Sequence, residues 1–249
     1  MGISNTLRKL YVKVGYRLWG ESLWNVWPFT QRVVNEWDNY VNLSFSQEGE
    51  DLVLSRLIGD KKNGFYIDIG AHHPFRFSNT FKFYLQGWRG INIDPLPGSK
   101  KLLDLTRKRD INLEVGVSNL DDATLTYYMF SEPAYNTFDE EIALERKNSS
   151  SIIFSEERKI VCYPLSILLS KHLPPFTPID FLTIDVEGMD LDVLMSNNWE
   201  LYKPYYIVVE SFNLILKDNL QSNIYNLLNS LKYELISKTA NTLIFHLSE

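Results

Sequence analysis

The chain has 249 residues, of which 45% are hydrophobic and 14% aromatic, so it can bury the core of one α/β domain with an extension. Its formal net charge is −6, which argues against a general nucleic-acid binder because phosphate backbones are bound by clustered Lys and Arg. A single cysteine, Cys162, excludes internal disulfides and a cysteine-based zinc site. Its strand-like apolar surroundings predict a buried thiol.

The first 43 residues differ from the rest of the chain. Apolar residues at helical spacing, four basic residues and several tryptophans predict a basic amphipathic helix in an N-terminal extension, residues 1–43. Such a segment could contact a membrane surface. We favour the alternative, in which it packs on the catalytic core or on a second subunit of a homo-oligomer. No stretch of the sequence reaches the roughly 18–20 apolar residues of a membrane-spanning helix, and a secretory signal is missing. We therefore expect a cytoplasmic protein.

From residue 44 to 249 the sequence alternates predicted strands with predicted helices. Strands are expected at 65–70, 90–94, 111–117, 180–186 and 206–210, and helices at 78–86, 100–108, 190–196 and 224–231. Residues 233–237 and 243–247 predict a closing antiparallel pair. This order predicts an α/β fold with a mostly parallel seven-stranded sheet and a C-terminal hairpin, the ending typical of Rossmann-like class I methyltransferases. The polar, Ser-rich segment 131–159 has little periodicity and is expected to be a variable insertion near the ligand-binding edge, either a substrate lid or a surface loop.

The first predicted strand ends in a motif suited to binding a ligand. Asp68 and Ala71 flank Gly70, at a point where the backbone must turn sharply and approach a ligand closely. The full glycine fingerprint of dinucleotide-binding proteins is missing, which disfavours NAD and FAD. S-adenosylmethionine (SAM), which has no pyrophosphate, fits the motif better.

Acidic residues end three other predicted strands. Asp94 follows the second strand, where nucleoside-binding sheets place the acid that binds the ribose hydroxyls. Asp185 and Glu187 follow the fourth strand, and Glu210 ends the fifth, so three acids are expected around one crevice. Such acids can act as a general base, orient a substrate or hold a divalent metal.

Together these motifs resemble the FkbM family of methyltransferases. The resemblance runs from about residue 45 to residue 210 and is specific because the motifs occur in order. It implies a Rossmann-fold enzyme that uses SAM, mostly for O-methylation of sugars and natural-product hydroxyls. The segments that carry it are 46–51, 68–74, 78–80, 87–90, 94–95, 116–118 and 185–188.

The resemblance also assigns residues to the cofactor. Asp68, Gly70 and Ala71 would form the main cofactor loop. Asn79 and Thr80 would lie at the start of the next helix, where backbone amides and short side chains can meet a carboxylate.

Other parts of the cofactor are assigned in the same way. Gln47 and Glu50 would approach its methionine end from a preceding helix, and Asp94 would hold its ribose. Val117 and Ser118 would lie beside its adenine.

One motif departs from the family pattern. Many members have Asn-x-Gly after the first strand, whereas this chain has His72-His73-Pro74. Since histidine titrates near neutral pH, His73 is a candidate general base. We favour a role in shaping the loop or orienting the substrate.

The expected reaction is direct methyl transfer to an acceptor oxygen of a small molecule or glycan in polysaccharide synthesis. Asp185 is the first candidate for the base, with His73 and Glu187 after it. A divalent metal held by Asp185 and Glu210 stays open but is not favoured. Methylation of a nitrogen or of a phosphoryl-type oxygen, and a non-catalytic nucleoside-binding scaffold, are the alternatives.

Overall fold

The structure is a computed structural model that describes residues 42–212 and 215–248. The chain divides into two compact units, residues 1–43 and 44–249, of which the second is described here. The helix predicted in residues 1–43 falls almost entirely outside the described residues. Within the described ranges, no helix is long and apolar enough to cross a membrane.

Ten strands and eight α-helices make up the described part of residues 44–249. The strands are β1 (Phe65–Ile69), β2 (Arg89–Ile93), β3 (Ile111–Leu113), β4 (Gly116–Val117), β5 (Ala123–Phe130), β6 (Phe154–Tyr163), β7 (Phe181–Ile184), β8 (Tyr206–Glu210), β9 (Tyr233–Lys238) and β10 (Thr242–Leu247). The helices are α1 (Glu50–Ile58), α2 (Phe81–Leu85), α3 (Ser99–Thr106), α4 (Glu140–Asn148), α5 (Leu165–His172), α6 (Asp190–Met195), α7 (Leu216–Asn219) and α8 (Asn223–Ser230). A short 3₁₀ turn, Pro133–Tyr135, precedes α4.

Seven of the strands form one sheet in the order β3-β2-β1-β7-β8-β10-β9. All neighbours pair in parallel except β10, which is antiparallel to both β8 and β9. The predicted α/β class, seven-stranded sheet and terminal hairpin are therefore confirmed. The central strands are apolar runs because helices cover both faces of the sheet, and all of β1 and β7 is buried.

The two faces of the sheet bury different side chains. On one face, Ile67, Ile69 and Ile184 belong to a large aliphatic core. On the other, Phe83 contacts both Trp88 and Phe181, with ring centroids 4.9 Å apart in each pair. Side chains alternate along a strand, so the side chain of each strand-end residue points to one face or the other by its position.

A second sheet of three strands, β4-β6-β5, was not expected as a unit. The strand predicted at 111–117 is two strands, because β3 ends at Leu113 and β4 leaves the large sheet to pair with β6. The segment 131–159 is also more ordered than its composition suggested. It contains α4, whose N-terminus is capped by Asp139 accepting from the Ile142 amide at 2.9 Å, and the first part of β6.

Cys162 is fully buried in this second sheet, as predicted for a structural thiol. Burial raises its pKa to about 11, which keeps the sulfur protonated and poorly nucleophilic at neutral pH. These surroundings favour the structural role that was predicted for Cys162 over a nucleophilic one.

Candidate active site

A cleft opens at the carboxyl ends of β1, β2 and β7, the edge where α/β sheets bind ligands. It encloses about 800 Å³, including space open to solvent. The predicted site residues that line it are Gln47, Gly70, Asp94, Val117, Asp185 and Glu187. Those that lie outside its lining are Glu50, Asp68, Ala71, His73, Asn79, Thr80 and Ser118.

Gly70 makes the turn that opens the cleft. Its φ of +83° is one that residues with a side chain rarely adopt, and its amide donates to the Ile93 carbonyl at 2.9 Å. A Cβ atom here would lie 1.8 Å from the backbone oxygen of Asp185. The glycine therefore lets the loop after β1 lie directly against the loop after β7.

Asp94 is held at the tip of β2 by two backbone amides. Its carboxylate accepts from His72 at 2.7 Å and from Leu96 at 2.8 Å, one on each oxygen. Burial raises the pKa of Asp94 to about 6 despite these bonds. Each oxygen keeps a second lone pair, so the carboxylate can still accept hydroxyl donors from a ligand in the cleft.

Asp68, in contrast, faces away from the cleft lining. Its carboxylate accepts from the Thr80 hydroxyl at 2.7 Å, and Thr80 in turn accepts from the Arg107 guanidinium at 3.0 Å. Burial raises the pKa of Asp68 to about 6. Asp68 and Thr80, both predicted to bind the cofactor, therefore hold the loop after β1 in place and do not line the cleft.

Arg107 is the centre of a buried network that the sequence did not point to. It forms an ion pair with Asp110 at 2.9 Å and donates to the Tyr66 hydroxyl at 2.7 Å and to the Pro74 carbonyl at 2.9 Å. Both charged side chains are almost completely buried. The network fastens the loop after β1 to the strand itself and to the loop before β3.

The predicted residues at the methionine end are split between two roles. Gln47 lines the cleft, whereas Glu50 is buried and accepts from Thr242 at 2.9 Å and from the Glu48 amide at 2.9 Å. Asn79 lies next to the sheet and donates to the Thr183 hydroxyl at 2.9 Å. Glu50 therefore connects helix α1 to β10, and Asn79 connects the loop after β1 to β7.

Val117 and Ser118, predicted beside the adenine, also separate. Val117 lines the cleft, while the Ser118 hydroxyl is buried and donates to the Leu120 carbonyl at 3.1 Å. The apolar part of the lining around Val117 also includes Ile93 and Leu96. It is suited to a flat apolar group such as a purine.

Three acids lie close together beside the cleft, and two of them, Asp185 and Glu187, line it. Asp185, Glu187 and Glu210 each offer a carboxylate oxygen, and these oxygens all lie within 4.8 Å of one another. Solvent reaches Asp185 from the cleft, and the other two are partly buried. Arg146, on α4, donates to the Glu187 carboxylate. We call Asp185, Glu187 and Glu210 the acid cluster.

Burial and mutual repulsion make ionisation costly in the acid cluster. Although solvent reaches Asp185 from the cleft, the nearby protein desolvates its carboxyl group, and this desolvation, followed by the charges of Glu187 and Asp190, holds its pKa well above the ordinary value. Burial and the Asp185 charge raise the pKa of Glu210 to about 11. For Glu187, burial raises the pKa while the Arg146 guanidinium opposes the rise.

The two histidines have different surroundings. The His73 Nδ1 atom accepts from the Arg76 amide at 3.1 Å, which stabilises the loop that ends in Pro74 and Phe75. His72 lines the cleft, and its Nε2 atom is buried with no hydrogen-bond partner among the described residues. Burial and then Arg76 lower the pKa of both rings, so both are neutral at neutral pH.

One wall of the cleft comes from residues that the motifs did not identify. Tyr127 of β5 and Asn136, after the 3₁₀ turn, both line it. This wall is connected to the loop after β7 because the Thr137 hydroxyl donates to the Glu187 carbonyl at 2.8 Å. It is connected to the loop after β1 by Arg76, which pairs with both Glu132 oxygens at 2.9 and 3.0 Å. Of the two residues, only Asn136 falls within the predicted insertion, 131–159, and no sequence signal pointed to Tyr127.

The residues of the cleft fit SAM. Gly70 allows close approach to the backbone, Asp94 offers a carboxylate for hydroxyls, and Val117 lies on an apolar floor.

Comparison with known proteins identifies the family. The sequence profile of the methyltransferase FkbM domain matches residues 68–235, and no curated protein gives a significant match. One similar solved structure is a TehB-like SAM-dependent methyltransferase from Corynebacterium glutamicum, with 10% identity, coverage of 88% of this chain and 96% of that chain, and a TM-score of 0.40.

A second similar structure is the 1,6-didemethyltoxoflavin-N1-methyltransferase of Burkholderia thailandensis, with bound 1,6-didemethyltoxoflavin and S-adenosylhomocysteine. It is 13% identical, with coverage of 89% of this chain and 86% of that chain and a TM-score of 0.40. The domain match spans most of the chain and includes the strand-end acids Asp68, Asp94 and Asp185. The chain therefore belongs to the FkbM methyltransferase family and is a SAM-dependent methyltransferase.

Proposed function

We propose that the enzyme methylates a hydroxyl oxygen of a sugar or a related neutral metabolite, with Asp185 as the general base. SAM supplies the methyl group, and the chain aligns the acceptor oxygen with it and removes the hydroxyl proton. The observation that carries the proposal is the position of Asp185, at the end of β7 and open to the cleft.

The neighbours of Asp185 support its choice among the three predicted bases. Glu187 is paired with Arg146, and Glu210 lies outside the cleft lining. The His73 Nδ1 atom is engaged with the loop backbone, and the ring lies outside the cleft lining. Among the described residues, Asp185 is the carboxyl group of the acid cluster that is both exposed to the cleft and free of a cationic partner, and its raised pKa makes its carboxylate a stronger base than an ordinary aspartate.

Charge in the cleft supports a neutral acceptor over a phosphoryl-type oxygen. Asp94, Asp185 and Glu187 all line it, and Arg146 is already paired with Glu187. A phosphorylated or carboxylated acceptor next to these acids would be repelled, whereas sugar hydroxyls can donate to them. This argument applies to the part of the acceptor close to the methyl donor.

We expect Asp94→Ala to weaken SAM and S-adenosylhomocysteine binding by about ten- to a hundredfold, because charge-assisted hydrogen bonds to the ribose are lost. Isothermal titration calorimetry measures both affinities. The matched control is Asp121→Ala, which removes an exposed acid outside the cleft lining and should leave both unchanged. Equal affinities for the Asp94 variant and the wild type would contradict the assignment of Asp94 to the ribose.

We expect methyl transfer to survive dialysis against a chelator. The acid cluster has the donor set of a divalent-cation site, but the Arg146 guanidinium already pairs with Glu187 and would repel a cation there. The measurement is turnover after chelation and after adding back Mg²⁺ or Mn²⁺. Activity that disappears and returns with the metal would instead give Asp185 and Glu210 a metal-binding role.

The setting of the reaction is a further part of the proposal. We propose a cytoplasmic role in the synthesis of a cell-surface polysaccharide, which the family membership supports. Sedimentation of the full chain with anionic vesicles tests for a membrane contact, which would show as salt-sensitive binding.

A further inference from the structure

Tyr127 reaches the cleft from the second sheet and not from the Rossmann-like core. It lies on β5, which pairs with β6, and only 6% of its surface is exposed. The next residue, Tyr128, points to the opposite face of the strand, where the Lys147 ammonium lies 4.7 Å from its ring centroid. Two adjacent tyrosines therefore have separate surroundings, and only Tyr127 lines the cleft among the described residues of β5.

Tyr127 lines the same cleft as Asp94 and Glu187. Burial, and after it the Asp94 carboxylate, raise the pKa of this hydroxyl well above its ordinary value, and Glu187 acts in the same direction. The phenol therefore stays protonated and can donate a hydrogen bond. Since a carboxylate only accepts hydrogen bonds, a phenol close to Asp94 supplies the complementary donor.

Asn136 stands beside this hydroxyl. Its Oδ1 atom accepts from the Phe130 amide at 2.8 Å, which fixes the orientation of the side chain. The Nδ2 group is buried, has no partner of hydrogen-bond geometry in the described part of the chain, and is close enough to the phenol to lower its pKa. The side chain is 95% buried, so its amide group can act on a ligand through Tyr127.

We propose that the Tyr127 hydroxyl binds the cofactor's ribose opposite Asp94, and that Asn136 is a positioning residue for this hydroxyl. The ribose carries two hydroxyls, each of which can donate to a carboxylate and accept from a phenol. Asp94 and Tyr127 together satisfy both properties. The inference rests on the proposed role of Asp94 and extends the cofactor site to the wall that the family motifs do not include.

The first experiment compares two single-hydroxyl deletions on the same strand. Tyr127→Phe should weaken the binding of S-adenosylhomocysteine and of 5′-methylthioadenosine by the same factor, about three- to tenfold, because both ligands contain the ribose. Tyr128→Phe, the matched control, should change neither affinity. Titration calorimetry gives the affinities, and thermal unfolding shows whether each variant is folded.

Deoxyribose analogues locate the contact. With 5′-methylthioadenosine that lacks the 2′-hydroxyl or the 3′-hydroxyl, the effect of Tyr127→Phe should disappear for one of the two analogues. An effect that persists with both would overturn the ribose contact.

The role of Asn136 is tested by a double-mutant cycle. Asn136→Ala should weaken S-adenosylhomocysteine binding when residue 127 is tyrosine and have little further effect in the Tyr127→Phe background. Equal losses in both backgrounds would show that Asn136 acts independently of the phenol and would overturn its positioning role.

Two other outcomes would also overturn the inference. Unchanged affinities for both ligands in Tyr127→Phe would remove Tyr127 from the cofactor site, and a loss with S-adenosylhomocysteine alone would place the contact at the amino-acid end. Asp94→Ala separates these results from a failure of the proposed ribose site. If that variant loses affinity while Tyr127→Phe does not, only the present inference fails.

Discussion

Asp185→Asn is expected to lower the rate of methyl transfer by about 10²- to 10⁴-fold, the usual contribution of a positioned general base. Asparagine keeps the size and polarity of the side chain but cannot accept the hydroxyl proton. Binding of S-adenosylhomocysteine should change by no more than about twofold, because Asp94 and the loop after β1 are unaltered. The measurement is S-adenosylhomocysteine formation with a neutral glycoside that the wild-type enzyme methylates.

The pH dependence distinguishes a base from a residue that only shapes the site. Wild-type turnover should rise with pH as Asp185 ionises through its raised pKa, and the residual turnover of the variant should lack this rise. Glu187→Gln, which removes the partner of Arg146, should retain the rise. A variant of Asp185 with the wild-type profile would assign the proton transfer elsewhere.

Stability provides the folding control for Asp185→Asn, and its sign follows from linkage. Because the folded protein raises the pKa of Asp185, the stability that comes from its protonated form is present at low pH and is lost as pH rises through the folded pKa. Asparagine does not ionise, so this loss is removed. At a pH above the rise in wild-type turnover, the variant should therefore unfold at the same temperature as the wild type or at a higher one.

The parts of the site that were predicted from sequence depend on strand ends. Gly70, Asp94 and Asp185 follow buried apolar strands, and the carboxyl ends of parallel strands meet at one edge of a sheet. Their arrival in one cleft follows from the order of elements, which was correct for the large sheet. The contacts that each of these residues makes could be seen only in the structure.

Asp68 illustrates what the sequence could not provide. It shares a motif with Gly70, but it also shares the face of β1 that carries Tyr66, and that face looks toward Arg107. Arg107 and Asp110 occur in a polar stretch with no recognisable motif. Their burial depends on long-range packing, so a local pattern gives no sign of it.

The second sheet was missed for a similar reason. Most side chains of β6 are exposed and the four at 156–159 are charged, so the strand lacks the alternation of a half-buried strand. The pairing of β6 with β5, which has more apolar residues, holds it in place. As a result, Asn136 was recognised only as part of an insertion, 131–159, of unknown structure, and Tyr127, on β5 before that insertion, was not recognised at all.

Gly70→Ala is expected to destabilise the protein by more than about 3 kcal/mol and to abolish detectable SAM binding. A left-handed backbone costs a residue with a side chain about 1–2 kcal/mol, and overpacking adds about 1–3 kcal/mol or more. The second contribution is at its upper end here, because the new Cβ would lie 1.8 Å from a backbone oxygen, that of Asp185. Relief of this clash has to move the loop that carries the proposed base.

Gly98→Ala separates the two costs. Gly98 has a φ of +91°, close to the +83° of Gly70, but a Cβ there would meet no atom within 4 Å. This variant should therefore lose only about 1–2 kcal/mol and keep its affinity for SAM. Chemical denaturation and titration calorimetry measure both quantities. Equal losses of stability in the two variants would mean that backbone strain alone explains Gly70, and that the contact between the loops after β1 and β7 does not require a glycine.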